Sequence, residues 1–329
     1  MSTIDVALVQ AYLSNMQLAL QNLDVPCAEL HLDHALELLA QPDAPQSLCL
    51  PMQIDVGVSL DAGIRRKSRP NEDAVFAATG RIAQTEETYG LFVVADGMGG
   101  HARGQDASRL ATQTLVDTLF PLIQRGHVQG TAAGSALVDA VTQANAAVYE
   151  QNQQTTSLLD QMGTTVTAVL VVGPHAFIAN VGDSRTYLYR PGAGLRVLTR
   201  DHSVVSQLVA DGVITPEEVY THPERNKILR CLGAAPTVEV DLFYEQLQDG
   251  DIVLCCSDGV WEMTRDPEIE KILSSSWLQA SHMAERLMHA ALQGGGLDNI
   301  GLVVAQFQMD VPAMQTIIDT LSSLAAAAS

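Results

Sequence analysis

In the run Val93-Val94-Ala95-Asp96-Gly97-Met98-Gly99-Gly100-His101 an apolar strand ends in an acid, and glycines follow at once. Such a run lifts a carboxylate out of a core and leaves bare backbone beside it. The pattern recurs at Val253-Leu254-Cys255-Cys256-Ser257-Asp258-Gly259 and, more loosely, at Gly296-Leu297-Asp298-Asn299-Ile300. A lone Asp-Gly or Asp-Asn is more often a turn than a ligand, because these residues close turns with their own side chains. Three acids at strand ends, each beside open backbone, shift that balance. Oxygen donors of this kind suit Mg²⁺ or Mn²⁺ rather than zinc. Asp96, Asp258 and Asp298 are therefore candidate metal ligands, and Gly97 leaves its carbonyl free to join them.

The elements that must present these acids are a mixture of strands and helices. Strands are expected at 56–59, 91–95, 165–172, 176–181, 185–189, 251–257 and 300–307, many of them rich in Val, Ile and Thr. Helices are expected at 107–120, 131–153, 204–211 and 279–292. In the first of these Ala107, Leu110, Ala111, Leu115 and Leu119 form one apolar face. The links Gly173-Pro174 and Gly182-Asp183-Ser184 are too short for parallel crossovers, so the strands they join must be antiparallel. This argues against a doubly wound dinucleotide-binding sheet. Residues 1–50 read as a separate helical hairpin and linker. Val9, Leu13, Met16 and Leu20 lie at helical spacing, and so do Leu32, Ala35, Leu36 and Leu39, before the proline-bearing stretch 41–47. The main domain is expected over 51–309 and a tail over 310–329.

The chain has 329 residues, 47% of them apolar, and a net charge of −20. That charge repels nucleic acid and anionic membranes, so neither is expected as a partner. Five cysteines at no zinc-knuckle spacing fit a reducing compartment, with Cys255 and Cys256 as buried thiols. There is no signal-like N-terminus and no apolar run near the ~20 residues of a membrane span. A cytoplasmic protein is expected. No cysteine has an arginine six positions later, and no nucleotide-binding Gly-x-x-x-x-Gly-Lys loop occurs. His31-Leu32-Asp33-His34 is better read as a solvated helix face than as a metal site.

Seven pieces, in order between residues 53 and 308, resemble the metal-dependent protein serine/threonine phosphatases of the PP2C (PPM) family in their bacterial form. They are Asn71-Glu72-Asp73, Asp96-Gly97-Met98-Gly99-Gly100-His101, Met162-Gly163-Thr164-Thr165, Asn180-Val181-Gly182-Asp183-Ser184-Arg185, Arg200-Asp201-His202-Ser203, Ser257-Asp258-Gly259-Val260-Trp261 and Asp298-Asn299-Ile300. The resemblance implies an α/β sandwich of two stacked antiparallel sheets flanked by helices. It implies hydrolysis of phosphoserine or phosphothreonine in a phosphoprotein by a metal-activated water, opposing bacterial serine/threonine kinases. Two or three Mg²⁺ or Mn²⁺ ions are implied as cofactors. Asp96 would bridge two of them, the Gly97 carbonyl would bind one, and Asp258 and Asp298 would complete the other site. Glu72 would act through water with Asp73 behind it.

Other positions are less settled. An arginine before Asn-Glu-Asp grips the phosphate in the family. The stretch Gly63 to Pro70 offers Arg66 when counted from Gly63 and Arg69 by proximity to the acids. Met98 stands where eukaryotic relatives carry a proton-donating histidine, and His101 is the tempting substitute but better read as a packing residue. Asp160, with Asp258 and Glu262, is a candidate for a third metal. Asp183 reads as part of a structural turn, paired with Arg185. Residues 202–232 match the family's flap, with a helix, a turn and a new helix start capped by Thr215, and Arg230 nearby. The rival class is a catalytically inactive domain that binds phosphoproteins or partners. Residues 1–50 could dock a partner or a second copy of the chain.

Overall fold

The computed structural model describes residues 52–309 except 84, 86, 100–102, 155–160 and 276–277. The expected N-terminal hairpin, the tail from residue 310, His101 and Asp160 lie outside the described residues.

Strand β1 (Met52–Asp61) leads through a single helical turn, α1 (Gly63–Arg66), into β2 (Asp73–Arg81) and β3 (Thr88–Gly99). Two long helices follow, α2 (Arg103–Gln124) and α3 (Thr131–Gln153). Then come β4 (Met162–Thr164), β5 (Val166–Val172), β6 (His175–Val181), β7 (Arg185–Arg190) and β8 (Gly194–Val197). The short helix α4 (Val204–Ala210) and a 3₁₀ turn (Glu218–Thr221) precede β9 (Asp241–Gln246) and β10 (Ile252–Cys256). Helices α5 (Asp258–Trp261), α6 (Asp266–Leu273) and α7 (Ala280–Gln293) lead to β11 (Ile300–Met309).

The strands build two antiparallel sheets. One has the order β1-β11-β10-β7-β8, the other β2-β3-β5-β6-β9 with β4 attached to β3. The sheets stack face to face. Phe92 and Val94 of β3, Val169 and Val171 of β5, Val253 and Cys255 of β10, and Phe307 of β11 fill the space between them. The alternate residues Leu91 and Val93 point outward and are covered by α2 and α3. Ile252, Leu254 and Cys256 are covered in the same way by α5, α6 and α7. Both faces of the central strands are thus buried, and so they read as unbroken apolar runs rather than alternating ones. Each large side chain so buried contributes about 1.5–3 kcal/mol of transfer free energy.

Helix α2 presents Ala107, Ala111, Leu115 and Leu119 to the sheet at four-residue spacing, and all four are fully buried. Cys255 and Cys256 are buried free thiols, and burial pushes the Cys255 thiol up to about 12. The sandwich and the four expected helices are found. The expected helix start at Thr215 is reduced to the 3₁₀ turn, in which the Glu218 carboxylate accepts the Thr215 N–H at 2.7 Å. The turn is preceded by Glu217, not Thr215, and no side chain caps it.

Candidate active site

Strand register brings the first two acids together. In the β2–β3 pairing Asp73 lies directly opposite Asp96. Asp96 is held on three sides by the Met-Gly-Thr-Thr segment. Its N–H donates to Thr165 Oγ1 at 3.0 Å, and its carbonyl accepts from Thr165 N at 2.9 Å and Thr164 Oγ1 at 2.9 Å. Thr165 Oγ1 lies 2.7 Å from Ser184 Oγ, tying the site to the turn between β6 and β7.

The other two acids come from the neighbouring sheet. Asp258 begins α5 just past the end of β10, and Asp298 lies just before β11. Ser257 Oγ crosses from one sheet to the other, donating to Asp73 Oδ2 at 2.7 Å and accepting from Gly301 N at 3.0 Å. Asn299 is a second crossing. Its Oδ1 accepts the Glu72 N–H at 2.9 Å and its Nδ2 donates to the Ala62 carbonyl at 3.0 Å.

Close backbone approach explains two of the glycines. A Cβ on Gly97 would stand 2.0 Å from the Gly104 carbonyl oxygen, and one on Gly259 would stand 1.9 Å from the Asn299 oxygen. Gly97 N also donates to the Glu72 carbonyl at 3.1 Å, and Ser108 Oγ donates to the same oxygen at 2.6 Å. The start of α2, the end of β3 and the loop before β2 are therefore one packed unit around Glu72.

Arg66 reaches the acids. Its Nη1 lies 3.1 Å from Glu72 Oε2 and 2.9 Å from Asp298 Oδ1, and its side chain is 32% exposed. It is carried there by α1, which is anchored by the Ile64 N–H on the Gly296 carbonyl at 2.8 Å. Arg69 is exposed, and its backbone closes a turn on the Arg66 carbonyl at 2.7 Å. Its charge is felt at Glu72, but its side chain makes no ion pair among the described residues.

So many carboxyls in one place raise each other's pKa. Burial pushes Asp73 up to about 7, against the hydrogen bond from Ser257 that favours its charge. Burial, then repulsion from neighbouring acids, raises Asp96 and Asp258 well above the usual carboxylate range. Burial also raises Glu72 and Asp298, with Arg66 opposing in both. Two oxygens in the group, Asp73 Oδ1 and Asp258 Oδ1, are buried with no hydrogen-bond partner. A buried acceptor without a partner costs about 1–3 kcal/mol unless something supplies positive charge. Among the described residues no three acidic, histidine or cysteine side chains are already drawn together as a finished cage. The donor chemistry nonetheless fits hard divalent cations: carboxylate oxygens, unpartnered buried oxygens and the adjacent Gly97 backbone.

The remaining motifs turn out to be supports. Arg185 does not pair with Asp183. It donates from Nε and Nη2 to Asp201, the shortest contact being 2.7 Å, and lies 3.6 Å above the Trp261 ring. The Asp183 carbonyl accepts from Trp261 Nε1 at 3.1 Å. Burial, then the charge of Asp201, carries the Asp183 carboxyl to about 7, with Arg185 opposing. Sequence spacing gave no sign that it would lie so near Asp258, whose carboxyl it repels. His202 accepts the Gly182 N–H on Nδ1 at 3.0 Å, and burial lowers its pKa. Arg230 turns to Asp241 and Glu239 at 2.7 and 2.9 Å. The flap is closed at its base by Leu232 N on Thr164 O at 2.8 Å, beside Asp96, and Arg225 of the flap lies 3.9 Å from Glu262. Asn299 and Ser257 stood within recognised motifs, but their bonding roles depend on partners across the fold that local sequence does not reveal.

Residues 62–293 match the sequence pattern of the family described as Protein phosphatase 2C. The chain belongs to the protein phosphatase 2C family. It is 37% identical over 249 residues to the serine/threonine protein phosphatase PstP of Mycobacterium tuberculosis, covering 74% of this chain and 43% of PstP. It thus spans less than half the length of that relative. It is 35% identical over 241 residues to the serine/threonine phosphatase Stp of Listeria monocytogenes, covering 72% of this chain and 90% of Stp. Among solved structures, the catalytic domain of PstP in complex with two manganese ions superposes with a TM-score of 0.66. That match is at 33% identity and covers 78% of this chain and 99% of that one. The Streptococcus agalactiae serine/threonine phosphatase superposes with a TM-score of 0.68 at 30% identity, covering 77% and 99%. Among the described residues no helix is long and apolar enough to cross a membrane.

Proposed function

We propose that this protein is a metal-dependent protein serine/threonine phosphatase that hydrolyses phosphoserine and phosphothreonine, reversing the work of serine/threonine kinases. The observation that carries the reading is the meeting of Glu72, Asp73, Asp96, Asp258 and Asp298 at one end of the two sheets, with Arg66 lying across them. Asp96, the Gly97 carbonyl, Asp258 and Asp298 would hold two Mg²⁺ or Mn²⁺ ions, with Glu72 and Asp73 behind them. Bound there, such ions supply Lewis acidity toward a phosphate oxygen and lower the pKa of water.

The chain's own residues set the rest of the chemistry. Arg66 is one third exposed at the mouth of the acid group, and its planar guanidinium suits two oxygens of a phosphate. Arg69 lies further out, where its charge attracts the dianion without gripping it. Ser257 fixes the Asp73 carboxylate by donating to one oxygen, which leaves the other free to accept a proton. Asn299 holds the Glu72 backbone, and so the Glu72 carboxylate, at a set distance from Asp298. Met98 carries no ionisable proton, so none can come from that position to the departing seryl or threonyl oxygen. Residues 1–50 are proposed as a segment for a partner or a second copy of the chain.

The test is phosphate release from a phosphothreonine peptide with Mn²⁺, with and without EDTA, by the wild type and by Asp258→Asn. Release that needs the metal and is lost in the variant supports the assignment. No release from folded, metal-loaded protein would refute it and leave a phosphatase-shaped binding domain.

A further inference from the structure

A groove with a volume of about 620 Å³ runs beside β2 and the start of α2, apart from the acid group but touching it at one end. Its apolar lining is Leu60 from β1, Val75 and Phe76 from β2, and Leu110 from α2, and α2 adds the polar side chains of Arg109, Thr112 and Gln113. Leu60 is 46% exposed, and the neighbouring Val58 is 47% exposed, both unusual for large apolar side chains on a strand. The near end of the groove is formed by Asn71 and Asp73, the residues on either side of Glu72. Gln105 lines this end as well, and its Nε2 donates to the Asn71 carbonyl at 3.0 Å, so the lip is rigidly built.

Two further observations point to a peptide as the occupant. Strand β2 ends the order of its sheet, so among the described residues no strand is paired to its outer edge. Such an edge offers main-chain donors and acceptors to an extended chain. The groove is also lined at one end by Asn71 and Asp73, beside the acid group where the phosphate would lie, so a chain that presents its phosphate there is led along it.

We propose that this groove receives the segment of the phosphoprotein that flanks the phosphorylated serine or threonine, seating one apolar side chain among Leu60, Val75, Phe76 and Leu110. The proposal rests on the phosphatase reading above. From Asp73 to Phe76 an extended strand advances about 10 Å, at roughly 3.3 Å per residue. The seated side chain therefore belongs to a residue about three positions from the phosphorylated one. Specificity for the flanking sequence is then set on the β2 side of the site.

The experiment uses the full chain with Mn²⁺ and phosphothreonine peptides that carry Leu or Asp three positions before or after the phosphothreonine. A small aryl phosphate serves as a substrate too short to reach the groove. The wild type should prefer Leu over Asp on one flank by about tenfold in kcat/KM, mainly through KM. Leu60→Asp, and separately Leu110→Asp, should reduce that preference to within about twofold and leave aryl phosphate turnover unchanged. No flank preference in the wild type, or a preference that survives both substitutions, overturns the groove while aryl phosphate hydrolysis still stands. Failure of the wild type to hydrolyse aryl phosphate at all overturns the phosphatase reading itself, and the groove proposal with it.

Discussion

Removing divalent cations should make this protein less stable as pH rises, the reverse of the usual behaviour of carboxylates held in ion pairs. Asp73 is 4% exposed, and burial pushes its carboxyl up to about 7 in the fold against 3.8 in a free chain. Between those values the folded state binds more protons than the unfolded state, so the stability of folding falls as pH increases. The loss begins above the unfolded pKa and is complete once pH has passed the folded one. Integrating this single group from pH 5 to pH 8 gives a loss of about 2–3 kcal/mol. Asp183, also raised to about 7, acts in the same direction, but repulsion within one cluster means that the two losses do not simply add. With a urea slope of about 1–3 kcal/mol/M, the unfolding midpoint in EDTA should drop by about 1 M or more from pH 5 to pH 8. Asp73→Asn removes the titrating group and should flatten the decline. Saturating Mn²⁺ should also flatten it, by holding the charged carboxylates in the folded state alone. A midpoint in EDTA that is constant or rises over this range, or an Asp73→Asn variant with the wild-type slope, would refute the reasoning.

Other expectations follow from individual contacts. Asp96→Asn should lower kcat on a phosphothreonine peptide by at least about a hundredfold, in line with losing a preorganised charge at the reacting centre, while circular dichroism shows an intact fold. Arg66→Ala should raise KM for the peptide by about tenfold or more, since charge-assisted bidentate contacts are among the stronger hydrogen bonds. Arg69→Ala should change KM by no more than about twofold, and an equal effect of the two would place the phosphate elsewhere. Asn299→Ala strips the Glu72 N–H and the Ala62 carbonyl of their partner and should cost about 1–3 kcal/mol, read as a lower Tm. Gly97→Ala should fail to fold or should lose metal binding by calorimetry, because its Cβ would fall 2.0 Å from a backbone oxygen.

What could be read from the chain alone divides along the line between local and distant interactions. Strands β3, β5, β6, β10 and β11 were legible because both their faces are buried and their residues are β-branched or apolar throughout. Strand β2 was not, since Asp73-Ala-Val-Phe-Ala-Ala-Thr-Gly-Arg81 has an acid at one end, small residues inside and no clean period. Strand β9 was missed although its exposure alternates residue by residue, because it is a short edge strand with polar residues at both ends. Helix α5 has only four residues, too few for any helical period to show. The acids at strand ends stood out because an abrupt change from apolar to acidic to glycine is a local signal.

Their supports were invisible for the opposite reason. Ser257 and Asp73 are 184 residues apart and Asn299 and Glu72 are 227 apart, so neither pairing leaves any trace in local spacing. The Arg66 or Arg69 ambiguity is of the same kind. Both arginines precede the same Asn-Glu-Asp, and counting along the chain treats them alike. What separates them is Gly63, whose φ of +72° turns α1 back onto the 296–298 loop, where a Cβ would meet the Asp298 oxygen at 2.0 Å. With α1 pinned there by Ile64, the last residue of its single turn is delivered to Glu72 and Asp298, and a residue three further on is carried past them. The arginine that reaches the acid group, and that we propose grips the phosphate, is thus selected by a left-handed glycine and its distant partner loop, and only the fold brings those two together.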